Sequence, residues 1–274
     1  MSEIFEILEY PFVQRALIAG SLISICASIL GVILVLKHYS LIGHGLSEIG
    51  FASLSISSAL KIPEIFIAAP SVISASFIIM FVSRKYKTAG DIAIAVVSSA
   101  ALALGIIISS LAGTASNMNS YLFGSVLAIS HSDMIFSIIF SLSVIGAFII
   151  FYNRLFLITY NEDYARSLGI NTALYQSIIS FLTALTVVTG MRIMGTLLIS
   201  GVIILPAVSA KSFAHGFKML VMISALISFT AFILGLIFSF IFNLPAGAGV
   251  ILVNTAILIT VKTIGNVRVK NLKK

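Results

Sequence analysis

Nine apolar runs, each close to twenty residues long, fill this chain almost end to end: 16–36, 39–60, 65–83, 91–112, 134–152, 172–190, 193–210, 219–242 and 246–262. As a helix, about 20 such residues at roughly 1.5 Å each cross the ~30 Å hydrocarbon core of a bilayer. In lipid, every backbone polar group must bond within its own segment or around a closed barrel. The alternating ten-residue pattern of barrel strands is absent. The sequence therefore predicts an all-α, polytopic membrane protein with about nine membrane helices in a single transmembrane domain over 1–274. Charge agrees: 9% of residues are Asp, Glu, Lys or Arg, whereas a soluble surface needs about a quarter.

The piece YLFGSVLAIS at 121–130 is too short to cross and reads as a re-entrant or interfacial helix. The N-terminal MSEIFEILEYPF lacks the basic start and small-residue cleavage site of a secretory leader, so the first span is expected to be retained. A lone cysteine, Cys26, excludes an internal disulfide and a thiolate metal cluster.

Orientation follows from Lys and Arg. With the loop at Lys37 in the cytoplasm, 13 basic residues fall inside and three (Arg15, Lys61 and Arg192) outside. A multi-pass protein of the cell membrane is expected, N-terminus outside and C-terminus cytoplasmic. The net charge of +7 sits in short loops and the tail NVRVKNLKK, which suits an anionic leaflet rather than nucleic acid. There is no GxxxxGK[ST], so any ATP chemistry belongs to a partner, and the chain itself is not expected to be an enzyme.

Against this apolar background, His44 and Glu48 stand out. Ionisable groups at membrane depth cost roughly 2.5–3.5 kcal/mol each on insertion scales and usually face a polar cavity or each other. Four residues apart, they share a helix face with Cβ atoms about 5–6 Å apart, so one cation can touch both. Counted from Tyr39, Glu48 lies roughly 13 Å into the span, near mid-depth. A nitrogen plus a carboxylate oxygen suits borderline divalent metals such as Zn, Mn, Fe or Co. Two ligands make a weak site, as a transport path requires. A structural pair joining helices and a proton relay fit the same spacing. The surrounding Gly43, Gly45, Ser47, Gly50 and Ala52 favour close helix packing.

Other polar positions have plainer readings. His131 and Asp133 are solvated loop residues or greet an incoming cation, and Met191 and Met194 pack a loop around Arg192. Asn254 is polar glue, and Pro206 kinks its span. The four His residues form no zinc-finger or HExxH pattern. The cytoplasmic stretch 153–171, NRLFLITYNEDYARSLGIN, reads as one short amphipathic helix with Leu157, Tyr160, Tyr164 and Leu168 on one side. Gly169 is expected to end it and Asn171 to start the next span. It either lies on the membrane surface or docks a soluble subunit.

Taken together, PFVQRALIAGSLISICASILGVILVLKHYSLIGHGLSEIGFASLSI, YLFGSVLAIS, NEDYARSLGI and GTLLISGVIILPAVSA resemble the permease subunits of bacterial metal-ion ABC importers, the zinc, manganese and iron uptake family. The similarity runs over about residues 6–262, with the four motifs in the family's order. It implies a homodimeric pore that translocates a divalent transition-metal ion as substrate, with no permanently bound cofactor. It also implies an external metal-binding protein and a separate cytoplasmic ABC ATPase as partners.

In that family the stretch matching 43–50 usually reads like GDALSHA, whose Asp and His are implicated in the metal path. His44 stands where that Asp falls and Glu48 where that His falls, so one nitrogen and one oxygen ligand remain with their order exchanged. The family's coupling helix falls on NEDYARSLGI, making Glu162, Asp163, Ala165, Arg166 and Gly169 candidate contacts with the ATPase. The rival reading is a stand-alone proton-coupled secondary transporter using His44 and Glu48.

Overall fold

A computed structural model describes residues 10–85, 90–114, 118–124, 130–242 and 244–272. Among these residues every regular element is a helix. In chain order they are α1 Pro11–Leu36, α2 Ser40–Leu60, α3 Glu64–Lys85, α4 Gly90–Leu111, α5 Met118–Phe123, α6 His131–Tyr160, α7 Glu162–Ser167, α8 Thr172–Met194, α9 Thr196–Ala210, α10 Phe217–Ile241 and α11 Ala246–Leu272. Each of the nine apolar runs becomes a helix. Seven of these are long and apolar enough to cross a bilayer. The other two depart for different reasons. In α2, serines, glycines, His44 and Glu48 lower the hydropathy, while α9 has only 15 residues. Of the expected 121–130 segment, the end of the six-residue α5, Gly124 and Ser130 are seen, and 125–129 lie outside the described residues.

Local signals set the boundaries. A helix start leaves four N–H groups without intrahelical partners, and polar side chains take some of them. Pro11, which has no N–H to satisfy, opens α1. Ser130 and Asp133 form a reciprocal capping box that starts α6 at His131, three residues earlier than the apolar run suggests. Asn171 caps α8 through the Leu174 N–H, as its position predicts. The amphipathic stretch 153–171 is not one helix. Asn161 turns extended (φ −151°, ψ 102°), and its side chain accepts from the Tyr164 N–H, ending α6 and capping α7. Gly169, at φ +76°, then closes α7 in the left-handed region where a side chain is strained.

The core forms around α1 and α8. Within α1's most apolar window 72% of residues are buried, and within α8's 67%, against 22% for α4 and α6, whose Leu104, Ile107, Ile149 and Ile150 face outward. Lipid is the only solvent that tolerates such a surface. Helix α1 packs on α6, α8, α9 and α10, and α2 packs on α3, α4, α8 and α9. Lipid offers no hydrophobic drive between helices, so small residues and interhelical hydrogen bonds do the joining. Ser228 and Ser224 of α10 donate to the Ser24 and Ser28 carbonyls of α1 at 2.8 and 3.3 Å, and the Cys26 thiol donates to the Ser141 carbonyl of α6 at 3.3 Å.

The closest approach is at Gly31, where an added Cβ would lie 1.8 Å from the Ile203 carbonyl oxygen of α9. Backbone cannot yield as a side chain can, so Gly31→Ala is expected to cost about 2–3 kcal/mol, at the upper end of overpacking effects. Gly146→Ala, with open space around its Cβ, is expected to be neutral to mildly stabilising. Thermal unfolding of the purified variants in detergent checks both.

Candidate functional site

Helix α2 presents His44 and Glu48 on adjacent turns of one face, with His44 Nε2 3.3 Å from Glu48 Oε1. The two differ in access: the His44 side chain is 45% exposed and that of Glu48 9%. Glu48 Oε2 is buried and accepts no hydrogen bond from the described protein atoms. A buried carboxylate oxygen without a donor is unfavourable for folding, and that spare acceptor suits a cation.

Glycines on the other faces of α2 keep the pair's helix clamped. A Cβ at Gly45 would meet Ile94 of α4 at 2.8 Å, and one at Gly50 would meet the Met191 sulfur of α8 at 2.7 Å. The small residues therefore serve packing, and of the pair only His44 is accessible. Among the described residues no group of three or more His, Cys, Asp and Glu side chains could hold a metal. One copy of the chain supplies two donors.

At the α2–α3 end, expected to be outside, three helices meet on one cation. Arg192 of α8 lies 2.7 Å from Asp133 of α6 and 3.5 Å from Glu64 of α3. Asp133 is thus an ion-pair partner and a helix cap, not a loosely solvated carboxylate. Met191 and Met194 are core residues in the last turn of α8, 1% and 2% exposed, and so belong to a helix, with the Met194 backbone against Gly124. Beside them Tyr121 of α5 is partly buried, which raises its phenol above the usual range. His131 is the exposed first residue of α6. Asn254 donates to the Val250 carbonyl of its own helix at 3.0 Å, with its Oδ1 unpartnered, and Pro206 lies inside α9.

At the α1–α2 end, Glu162 of α7 is the hub of a second network. Its Oε2 accepts from Lys37 Nζ at 3.1 Å and Gln176 Nε2 at 2.6 Å, and its Oε1 from Arg166 at 3.2 Å. Lys37 caps the C-terminus of α1 and its side chain is only 7% exposed. Glu162 therefore points inward and joins α7 to α1 and α8, and Ala165 is fully buried. Asp163, Arg166 and Gly169 remain exposed, together with Tyr160, Tyr164 and Leu168 at 82%, 54% and 55%. These residues give the short helix and its flanks a mixed apolar and charged exposed surface.

Sequence reasoning missed Lys37 and Gln176. Lys37 counted only as a loop charge, and Gln176 is an ordinary polar residue in an apolar span. A usable signal was available for Lys37: one of few basic residues, directly before the span that carries His44.

Against known proteins, residues 9–264 match the model of the ABC 3 transport family. Over 251 residues the chain is 32% identical to the manganese transport system membrane protein MntC of Listeria innocua, covering 92% of this chain and 90% of that one. Over 268 residues it is 26% identical to a Haemophilus influenzae protein named "Probable iron transport system membrane protein", covering 97% and 98%. Among solved structures it superposes on PsaBC from Streptococcus pneumoniae in complex with Fab with a TM-score of 0.85 and 28% identity, covering 95% of this chain and 94% of that one.

Proposed function

The chain belongs to the ABC 3 transport family and is a membrane-spanning permease subunit of an ABC importer for divalent transition-metal ions; on that premise we propose that the ion passes between two copies of the chain along the face of α2 that carries His44 and Glu48. The observation that carries this reading is the Glu48 carboxylate. It is buried near mid-depth, with one oxygen against His44 and the other without a protein donor. Two donors bind weakly, but a two-fold axis beside that face would bring a second His–Glu pair and make a set of two nitrogens and two carboxylates. Such a set suits Mn, Fe or Zn, and manganese is the first ion to test, because relatives named for manganese match along nearly the whole chain.

The remaining roles follow from topology. The 13-to-three bias of basic residues supports a cytoplasmic α1–α2 end. Lys37, Glu162 and Gln176 sit together at that end, while Glu64, Asp133 and Arg192 meet at the other, separated by the 21 residues of α2. An ATPase subunit docks on α7 through Tyr164, Arg166 and Leu168, with Asp163 beside them, and an external metal-binding protein delivers the ion at the opposite end. ATP binding moves the path only if its two states contact α7 differently.

Vesicles reconstituted with this chain and its co-purified ATPase, loaded with ATP and given the external metal-binding protein, are expected to accumulate manganese. Vesicles with this chain alone and an imposed proton gradient are expected to take up none. Uptake driven by protons without ATP would establish the secondary-transporter reading instead.

A further inference from the structure

At the α1–α2 end, an open groove of about 950 Å³ runs between α6 and α10, a volume in the range of specific small-molecule sites. Its polar groups gather at one end: Asn153 of α6, and His215 and Lys218 at the start of α10. Among the described residues no Asp or Glu lines it. Beyond Lys218 the wall is apolar, with Met219, Met222 and Leu226 spaced at three and four along one face of α10 and 46%, 63% and 64% exposed. The floor is aromatic. Phe217 contacts Tyr152 and Phe156 of α6, with ring centroids 5.6 and 5.3 Å away.

We propose that this groove seats one anionic phospholipid, its phosphate held by Lys218 and His215 and an acyl chain laid along Met222 and Leu226. Length and charge both select that occupant. From Lys218 to Leu226 the helix rises about 12 Å at 1.5 Å per residue, within the ~15 Å of hydrocarbon that one leaflet supplies. The basic end lies where the headgroups begin, and methionines adapt to flexible chains without a fixed shape. A zwitterionic lipid would fill the apolar part and offer the same phosphate, but its own ammonium would lie beside Lys218 and offset the attraction. The assignment rests on the orientation proposed above, which places this end at the anionic cytoplasmic leaflet.

Native mass spectrometry of the purified protein, titrated separately with phosphatidylglycerol and phosphatidylcholine in detergent, tests it without any transport readout. Wild type is expected to retain phosphatidylglycerol in preference. Lys218→Glu, an exposed change that spares the core, is expected to weaken phosphatidylglycerol binding by roughly fivefold or more, the worth of one basic residue near an anionic surface, and to weaken phosphatidylcholine binding much less. Met222→Asp should lower both. Equal phosphatidylglycerol binding by wild type and Lys218→Glu would overturn the proposal. So would chain-to-chain crosslinking of a Met222→Cys variant in the membrane, which would make the groove a contact between copies. Failure of ATP-driven uptake would leave these lipid readings untouched.

Discussion

Glu48→Ala is expected to reduce metal uptake by at least about tenfold while assembly and ATPase association stay intact. Removing a charged partner of this kind costs roughly 1.5–3 kcal/mol, or about 10–100-fold. The carboxylate's only described partner is His44 on the same helix at 3.3 Å, so its loss breaks no contact between helices. It also removes a buried oxygen that had no donor, so stability should hold or rise. Those two signs separate the pathway reading from the structural one. A variant that falls apart in detergent, or one that transports normally, would remove Glu48 from the path. Substituting His44→Asp together with Glu48→His gives the Asp-then-His order that the family resemblance implies, and that double variant is expected to regain much of the uptake. Uptake in reconstituted vesicles, with size-exclusion chromatography as the assembly control, reads all three proteins.

Much of this architecture was legible because lipid makes the hydrophobic pattern nearly sufficient. Every run of about twenty apolar residues became a helix, and Asn171 and Gly169 fell at the boundaries their chemistry predicts. The stretch 153–171 misled because hydrophobic spacing continues smoothly across Asn161. The break comes from one side chain capturing the Tyr164 N–H, a local competition that periodicity does not register. Asp133 was misplaced for the same kind of reason. Its capping box with Ser130 is a local signal that lies outside the apolar run, and its pairing with Arg192, 59 residues away, depends on which helices become neighbours. The His44–Glu48 pair was legible because its spacing is intrahelical and its cost in lipid is high. The uneven access of its members was not, since it depends on how α3, α4, α8 and α9 surround α2.

Glu162→Ala is expected to uncouple ATP hydrolysis from uptake, an effect larger than that of any exposed substitution on α7. Glu162 is the one carboxylate through which α7 holds both the end of α1 and the start of α8. Lys37, its partner, is followed by His38 in the left-handed region (φ +59°), and α2 begins two residues later. A push on α7 thus has a rigid, charge-paired route to the helix carrying His44 and Glu48. Deleting Glu162 removes the 3.1 Å ion pair to Lys37, whose side chain is 7% exposed, at a cost below the about 3–5 kcal/mol of breaking a fully buried pair. The stability loss is therefore expected to be measurable, and it must be separated from the coupling loss. Lys37→Met with Glu162→Leu removes both charges and should recover most of the stability. If the ion pair transmits motion, that double variant still hydrolyses ATP without moving metal. Restored uptake in the double variant would show that the pair only holds α7 in place, and the route to α2 would have to run through the Gln176 side of the hub.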